Sequence, residues 1–200
     1  MGISVHTIHR TSPVWHSVVR MMKKFAAEES KGTKLEENYT TNMREDEWLA
    51  LSYYEDECKI LGFSSVVYRD IWNGSARIVN RMLKSREYRF ACTPGEMTEH
   101  TTQMLKQQIE FCRNNGFDNA FMSRESNSSK AAFMRYLKNM QFTEWHIPEG
   151  RYMTCTSDVA DCWQHVMYTP LKEGSQFNLQ HITEEQYNEK FKTTDRLRGI

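Results

Sequence analysis

The chain has 200 residues, with 26 Lys and Arg against 26 Asp and Glu, so its formal net charge is zero. That length is enough for one domain with a sizeable core, and the charge balance supplies no basic field of the kind that draws nucleic acid. Apolar residues at 39% and aromatics at 12% mark a globular composition rather than a disordered one. No run of 18 apolar residues is present, so no membrane-spanning helix is expected. The N-terminus lacks the basic and apolar regions of a secretory leader. The five cysteines, Cys58, Cys92, Cys112, Cys155 and Cys162, form no CxxC or paired framework. They are expected as reduced thiols in a cytoplasmic protein.

In chain order, Ile3–His9 alternates apolar and polar residues and reads as a strand. His6 and His9 are expected on its solvent side, with no metal site. Ser12 as N-cap and Pro13 at the first helical position open a helix. Its apolar stripe is Val14, Trp15, Val18, Val19, Met22, Phe25 and Ala26. Ser30–Glu47 is polar, and reads either as a solvated connection or as a short helix carrying Leu35, Tyr39 and Met43. Trp48–Tyr54, Lys59–Asp70 and Ala76–Lys84 read as a three-strand antiparallel meander. Its second turn holds Asn73-Gly74, a pair that tolerates positive φ at both positions.

Along Ala76–Lys84 the alternation breaks: Ile78 and Val79 are both apolar, Asn80 and Arg81 both polar, Met82 and Leu83 apolar again. A β-bulge there would restore the register. Arg77, Asn80, Arg81 and Lys84 include no acid, which suits an acidic or phosphate-bearing ligand or a solvated face. A long loop is expected over Ser85–Pro94. Thr93 as N-cap, Pro94 at N1 and Glu96 at N3 then start a helix. It runs to Asn115 with Met97, Met104, Leu105, Ile109, Phe111 and Cys112 inward, and Gly116 closes it. Phe117–Met122 reads as a strand and Ser128–Asn139 as a helix. Glu144–Ile147, Arg151–Cys155 and Trp163–Tyr168 are strand-like runs. From Leu171 a linker is expected, then a short helix from Thr183 to Lys192 with Gln186 completing its capping box.

This order, together with Glu87-Tyr88-Arg89 before a helix start and Asn127, Ala131 or Ala132, Tyr136 and Gln141-Phe142 further on, resembles the GNAT superfamily of N-acetyltransferases. The family's glycine-rich loop is replaced here: its three glycine positions hold Phe90, Cys92 and Pro94. Tyr136 also lies one residue further from the Phe than in the common pattern. The resemblance implies an α/β (α+β) fold with a mixed six- to seven-stranded twisted sheet, an antiparallel N-terminal meander and helices on both faces. A single domain would span 1–170, with a linker, short helix and tail over 171–200. It implies acetyl-CoA as co-substrate and an amine acceptor, small molecule or protein.

By the same resemblance, backbone near Met82, Leu83 and Lys84 polarises the thioester carbonyl. Arg86, Arg89, Thr93, Gly95 and Thr98 then serve the diphosphate and Asn127 the CoA arm. Tyr136 is the candidate general acid. The reaction needs a base for the attacking amine; Glu125, Asp70 and Glu57 are the nearest candidates, none of them set apart by the sequence. Two alternatives stand next to the acyltransferase: a GNAT fold whose donor site has decayed into a binding or structural role, and a transferase using another acyl donor. The polar tail fits either docking on the body or a homodimer.

Overall fold

The computed structural model describes residues 3–33, 45–56, 59–124, 131–146, 151–153, 165–186 and 189. The chain folds as two compact units, Met1–Arg69 with Ala76–Phe117, and Asp70–Ser75 with Asp118–Ile200. The segment over 35–43, read either as a solvated connection or as a short helix, lies outside the described residues, as do Glu57, Glu125 and Asn127.

In the first unit, β1 (Ser4–His9), β2 (Trp48–Asp56), β3 (Lys59–Val67) and β4 (Ser75–Lys84) pair in that order, each antiparallel to the last. α1 (Trp15–Ser30) follows β1, and α2 (Arg86–Ala91) and α3 (Pro94–Asn114) follow β4. On β3, Phe63 meets Phe25 of α1, while its neighbour Ser64 meets Gln108 of α3. Adjacent strand residues point to opposite faces, so α1 and α3 cover opposite faces of these strands. That accounts for β3, where every residue after Lys59 is buried.

α1 begins at Trp15, two residues later than the sequence signals suggest. Ser12 spends its oxygens on a preceding turn: its carbonyl accepts the Trp15 N–H at 3.0 Å and its hydroxyl the Val14 N–H at 3.4 Å. The stripe then buries Trp15, Val18, Val19, Met22, Phe25 and Ala26, as the spacing requires, while Val14 stays exposed. α3 ends as expected: Gly116 has φ +77°, and the Phe117 N–H donates back to the Cys112 carbonyl at 3.2 Å. Asn73 and Gly74 both take positive φ, 49° and 77°.

The α3 side of this sheet carries a polar row. Thr7, Ser52 and Ser64 are cross-strand partners on β1, β2 and β3. Thr7 donates to Gln107 Oε1 at 2.7 Å, so Ser52 donates to Thr7 across 2.8 Å. Gln108 serves Ser64.

In the second unit, β5 (Asn119–Arg124), β8 (His165–Pro170) and β6 (Thr143–Trp145) pair antiparallel in that order. β7 (Arg151–Met153) pairs separately with β9 (His181–Thr183). α4 (Ala131–Asn139) precedes β6. Among the described residues, these strands and helices make the mixed α/β fold expected. The core here is aromatic. Phe177 stacks on Tyr168 with centroids 4.4 Å apart and meets Phe121 and Trp145, and Trp72 packs edge-on to Phe121. The stretch from Leu171, expected as a linker, therefore brings Phe177 and Leu179 into a core. Strand β9 within that stretch is a further departure: its three residues alternate too briefly to register as a strand. The capping box forms, with the Gln186 N–H on Thr183 Oγ1 at 3.2 Å and the Thr183 N–H on Gln186 Oε1 at 3.0 Å. Among the described residues, no helix is long and apolar enough to cross a membrane.

Candidate active site at the end of strand β4

The broken alternation in β4 is a bulge. Phe63 faces Leu83 and Ser65 faces Val79, so the single residue Ser64 stands opposite Asn80, Arg81 and Met82. Two extra residues on one strand cannot all join the ladder, so backbone groups there are released from it. The Val79 carbonyl is satisfied from the partner strand's side chain: Ser64 Oγ donates to it at 2.7 Å. Ser64 Oγ in turn accepts from Gln108 Nε2 at 3.0 Å. Both side chains are buried.

Past the bulge, Lys84 lies on the α3 face. Its cross-strand partner is Gly62, whose own partner on β2 is Tyr54. With no side chain at Gly62, the Lys84 ammonium reaches across β3, 6.0 Å from the Tyr54 ring centroid and 5.5 Å from that of Tyr88. Such distances favour a cation over an aromatic face. Lys84 Nζ also donates to Thr101 Oγ1 at 3.5 Å. Thr101 gives its one proton to the Met97 carbonyl at 2.7 Å, so Tyr54 is the donor in the 3.1 Å contact between Tyr54 and Thr101 hydroxyls. Tyr88 stacks on Tyr54 at 4.9 Å and shares a 3.1 Å hydrogen bond with His100 Nδ1. Burial lowers the Lys84 pKa, an effect that the Cys92 thiol partly offsets. Burial likewise raises Cys92, with the Glu96 carboxylate adding to it, and raises Tyr88 above the ordinary tyrosine range.

The segment expected as a loop over Ser85–Pro94 is mostly helix. α2 spans Arg86–Ala91, capped by Ser85, whose hydroxyl accepts the Tyr88 N–H at 3.0 Å. The reason is Tyr88: burying it in the cluster of Val5, Tyr54, Leu61 and Met104 fixes one turn of backbone, and the Glu87 ion pair with Lys59 pins the other side. Arg86, Arg89 and Phe90 are left exposed, and the Arg86 guanidinium lies over Phe90 at 6.0 Å.

The tip of α3 is nearly self-sufficient. The Glu96 N–H donates to Thr93 Oγ1 and the Met97 N–H to the Thr93 carbonyl. The Glu96 carboxylate accepts both the Thr93 N–H at 2.7 Å and its hydroxyl at 2.8 Å, which lowers the Glu96 pKa. Pro94 has no N–H to offer. Gly95 supplies the first-turn amide that takes no part in these bonds. Thr98 donates its hydroxyl to the Pro94 carbonyl at 2.9 Å. Thr93 and Thr98, expected at the diphosphate, are thus engaged in the helix's own start.

Met82, Leu83, Lys84, Arg86, Arg89, Thr93, Gly95 and Thr98 all belong to the first unit. Tyr136 sits on α4 of the second, half-buried, its carbonyl accepting the Met140 N–H at 3.1 Å. Sequence reasoning passed over Tyr54, Ser64, His100, Thr101 and Gln108. Gln108 carried a usable signal, since it occupies a core position of the α3 stripe, four residues after Met104.

No family description and no curated protein sequence matches this chain. Solved structures do. An acetyltransferase of the GNAT family from Staphylococcus aureus aligns over 84% of this chain and 100% of its own, with TM-score 0.50 and 15% identity. Ard1 from Thermoplasma volcanium aligns over 86% and 100%, with TM-score 0.52 and 14% identity. The chain has the GNAT fold. The ribosomal-protein-S18-alanine N-acetyltransferase from Escherichia coli, at 13% identity and TM-score 0.50 over 88% of this chain and all of its own, shares it.

Proposed function

We propose that the chain is an N-acyltransferase that moves an acyl group, acetyl first among them, from acyl-CoA to an amine. The β4 bulge carries the reading: Asn80–Met82 leave the regular pairing with β3 there, and we propose that one of their backbone amides faces the thioester oxygen. In the reaction the amine nitrogen bonds to the carbonyl carbon, and the C=O electron pair moves onto oxygen. Fixed N–H donors stabilise that oxyanion because they need no reorientation as charge develops. The C–S bond then breaks and CoA leaves as thiolate. Tyr136 is proposed to protonate the thiolate, and Glu125 to take the proton from the amine. Lys84, Arg86, Arg89 and the Gly95 N–H are proposed for the diphosphate, with Asn127 on the CoA arm. Acetyl-CoA is the proposed co-substrate, and the acceptor an amine on a small molecule or protein.

The self-capped α3 tip favours the second reading, a GNAT fold whose donor site has decayed. Thermal shift with acetyl-CoA separates the two. A ligand of the native state raises the melting temperature by mass action, about 2.7 kcal/mol of stability at a hundredfold excess over Kd. A rise, with thiol release on adding an amine panel, is the expected result. No shift at millimolar acetyl-CoA would transfer the assignment to the decayed-site reading.

A further inference from the structure

We infer that Ser64 and Gln108 are positioning residues that set the shape of the β4 bulge, and through it the placing of the Asn80–Met82 backbone amides relative to a thioester oxygen. The inference rests on the acyl-transfer reading above. Three observations support it. Ser64 is the one β3 residue facing the three-residue bulge. Its hydroxyl donates to the Val79 carbonyl, at the residue where the ladder is interrupted. Gln108 orients that hydroxyl from α3, because its Nε2 occupies the oxygen's acceptor side and turns the proton toward Val79. Gln108 in particular is a carboxamide buried on a helix stripe that is otherwise apolar. Buried polar groups of this kind are kept satisfied because leaving one unpaired is costly. The relay thus gives the bulge one geometry where a lone strand interruption would have several.

The test compares Ser64→Ala, Gln108→Leu and Ser64→Thr with Val67→Ala, a cavity variant elsewhere on β3. Two readouts are taken. One is the amide NMR shift of Asn80, Arg81 and Met82. The other is the affinity ratio of acetyl-CoA to S-ethyl-CoA, a thioether that lacks the thioester carbonyl oxygen. The expected result is displaced amide shifts and about a fivefold fall in the ratio for Ser64→Ala, the worth of one neutral hydrogen bond. Gln108→Leu should show a smaller fall, and Ser64→Thr, which retains the hydroxyl, should restore the ratio. Unmoved amides in Ser64→Ala, or an equal response in Val67→Ala, would overturn the proposal. If the amides move but the wild-type chain binds neither CoA compound, the acyl-transfer reading fails and takes the positioning role with it. If the wild type binds both and Ser64→Ala keeps its ratio, the positioning role alone fails.

Discussion

The end of β4 and the tip of α3 lie about a dozen residues apart in the chain and treat their backbone groups in opposite ways. At β4, two surplus residues release amides from the ladder, and the neighbouring carbonyl of Val79 is held by Ser64. At α3, the donors that a helix start normally leaves open are mostly closed, by Thr93, by Glu96 and by the missing N–H of Pro94. A capping box and an anion site compete for the same amides. A chain that invests in the first weakens the second, so under the acyl-CoA proposal the diphosphate would rely more on side chains such as Lys84 than on the helix tip.

Variants that separate the two regions sharpen this contrast. The largest effect is expected from Tyr88→Ala. It removes a fully buried ring stacked on Tyr54, so a loss of about 3–5 kcal/mol is expected in urea denaturation, the range for large aromatic truncations. With α2 unpinned, Lys84 should also become more exposed. A loss below 1 kcal/mol would mean that α2 is not held by its ring.

Thr93→Ala tests the tip. Loss of this N-cap should cost about 1 kcal/mol while raising affinity for inorganic pyrophosphate, measured by calorimetry. Unchanged pyrophosphate binding would show that the cap and the anion do not compete. The wild type should lose the Glu96 contribution with pH. That carboxyl has a depressed folded pKa, so its stabilisation is present above its ordinary value of 4.5 and fades as pH falls through the folded value. Glu96→Gln should lack that fade.

The smallest effect is expected at Lys84. Burial depresses its pKa below the ordinary 10.5, so the native state binds fewer protons than the unfolded state between the folded value and 10.5. Stability conferred at this position therefore rises with pH across that window. The stability difference between wild type and Lys84→Met should shift in favour of the wild type as pH climbs toward 10.5. A difference that stays flat with pH would mean that the ammonium is well solvated.

Gly116, the Thr93–Glu96 box and the Thr183–Gln186 box were legible because helix ends are decided by bonds spanning three to five residues, all visible in a short window. The bulge was legible for a similar reason: side-chain alternation is a local record of which face each residue meets, and Asn80–Met82 interrupts it. Ser12-Pro13 misled by two residues because the same oxygens could close a turn just ahead of the helix. Segment 86–91 misled more, since its glycine-like position in the chain said loop while a single ring, Tyr88, found a stack on Tyr54 from a distant strand.

What the sequence determined by itself was element order, caps, the Asn73-Gly74 turn and the place where β4 departs from regular pairing. The tertiary structure alone decided that Lys84 reaches the rings of both Tyr54 and Tyr88 and that Ser64 and Gln108 meet at Val79. The first set depends on near neighbours in the chain. The second, apart from the Lys84–Tyr88 contact, depends on contacts between residues fifteen or more positions apart, whose partners only the folded packing selects. At Glu96 the pattern promised a cap, and in the folded chain that cap leaves few first-turn amides over.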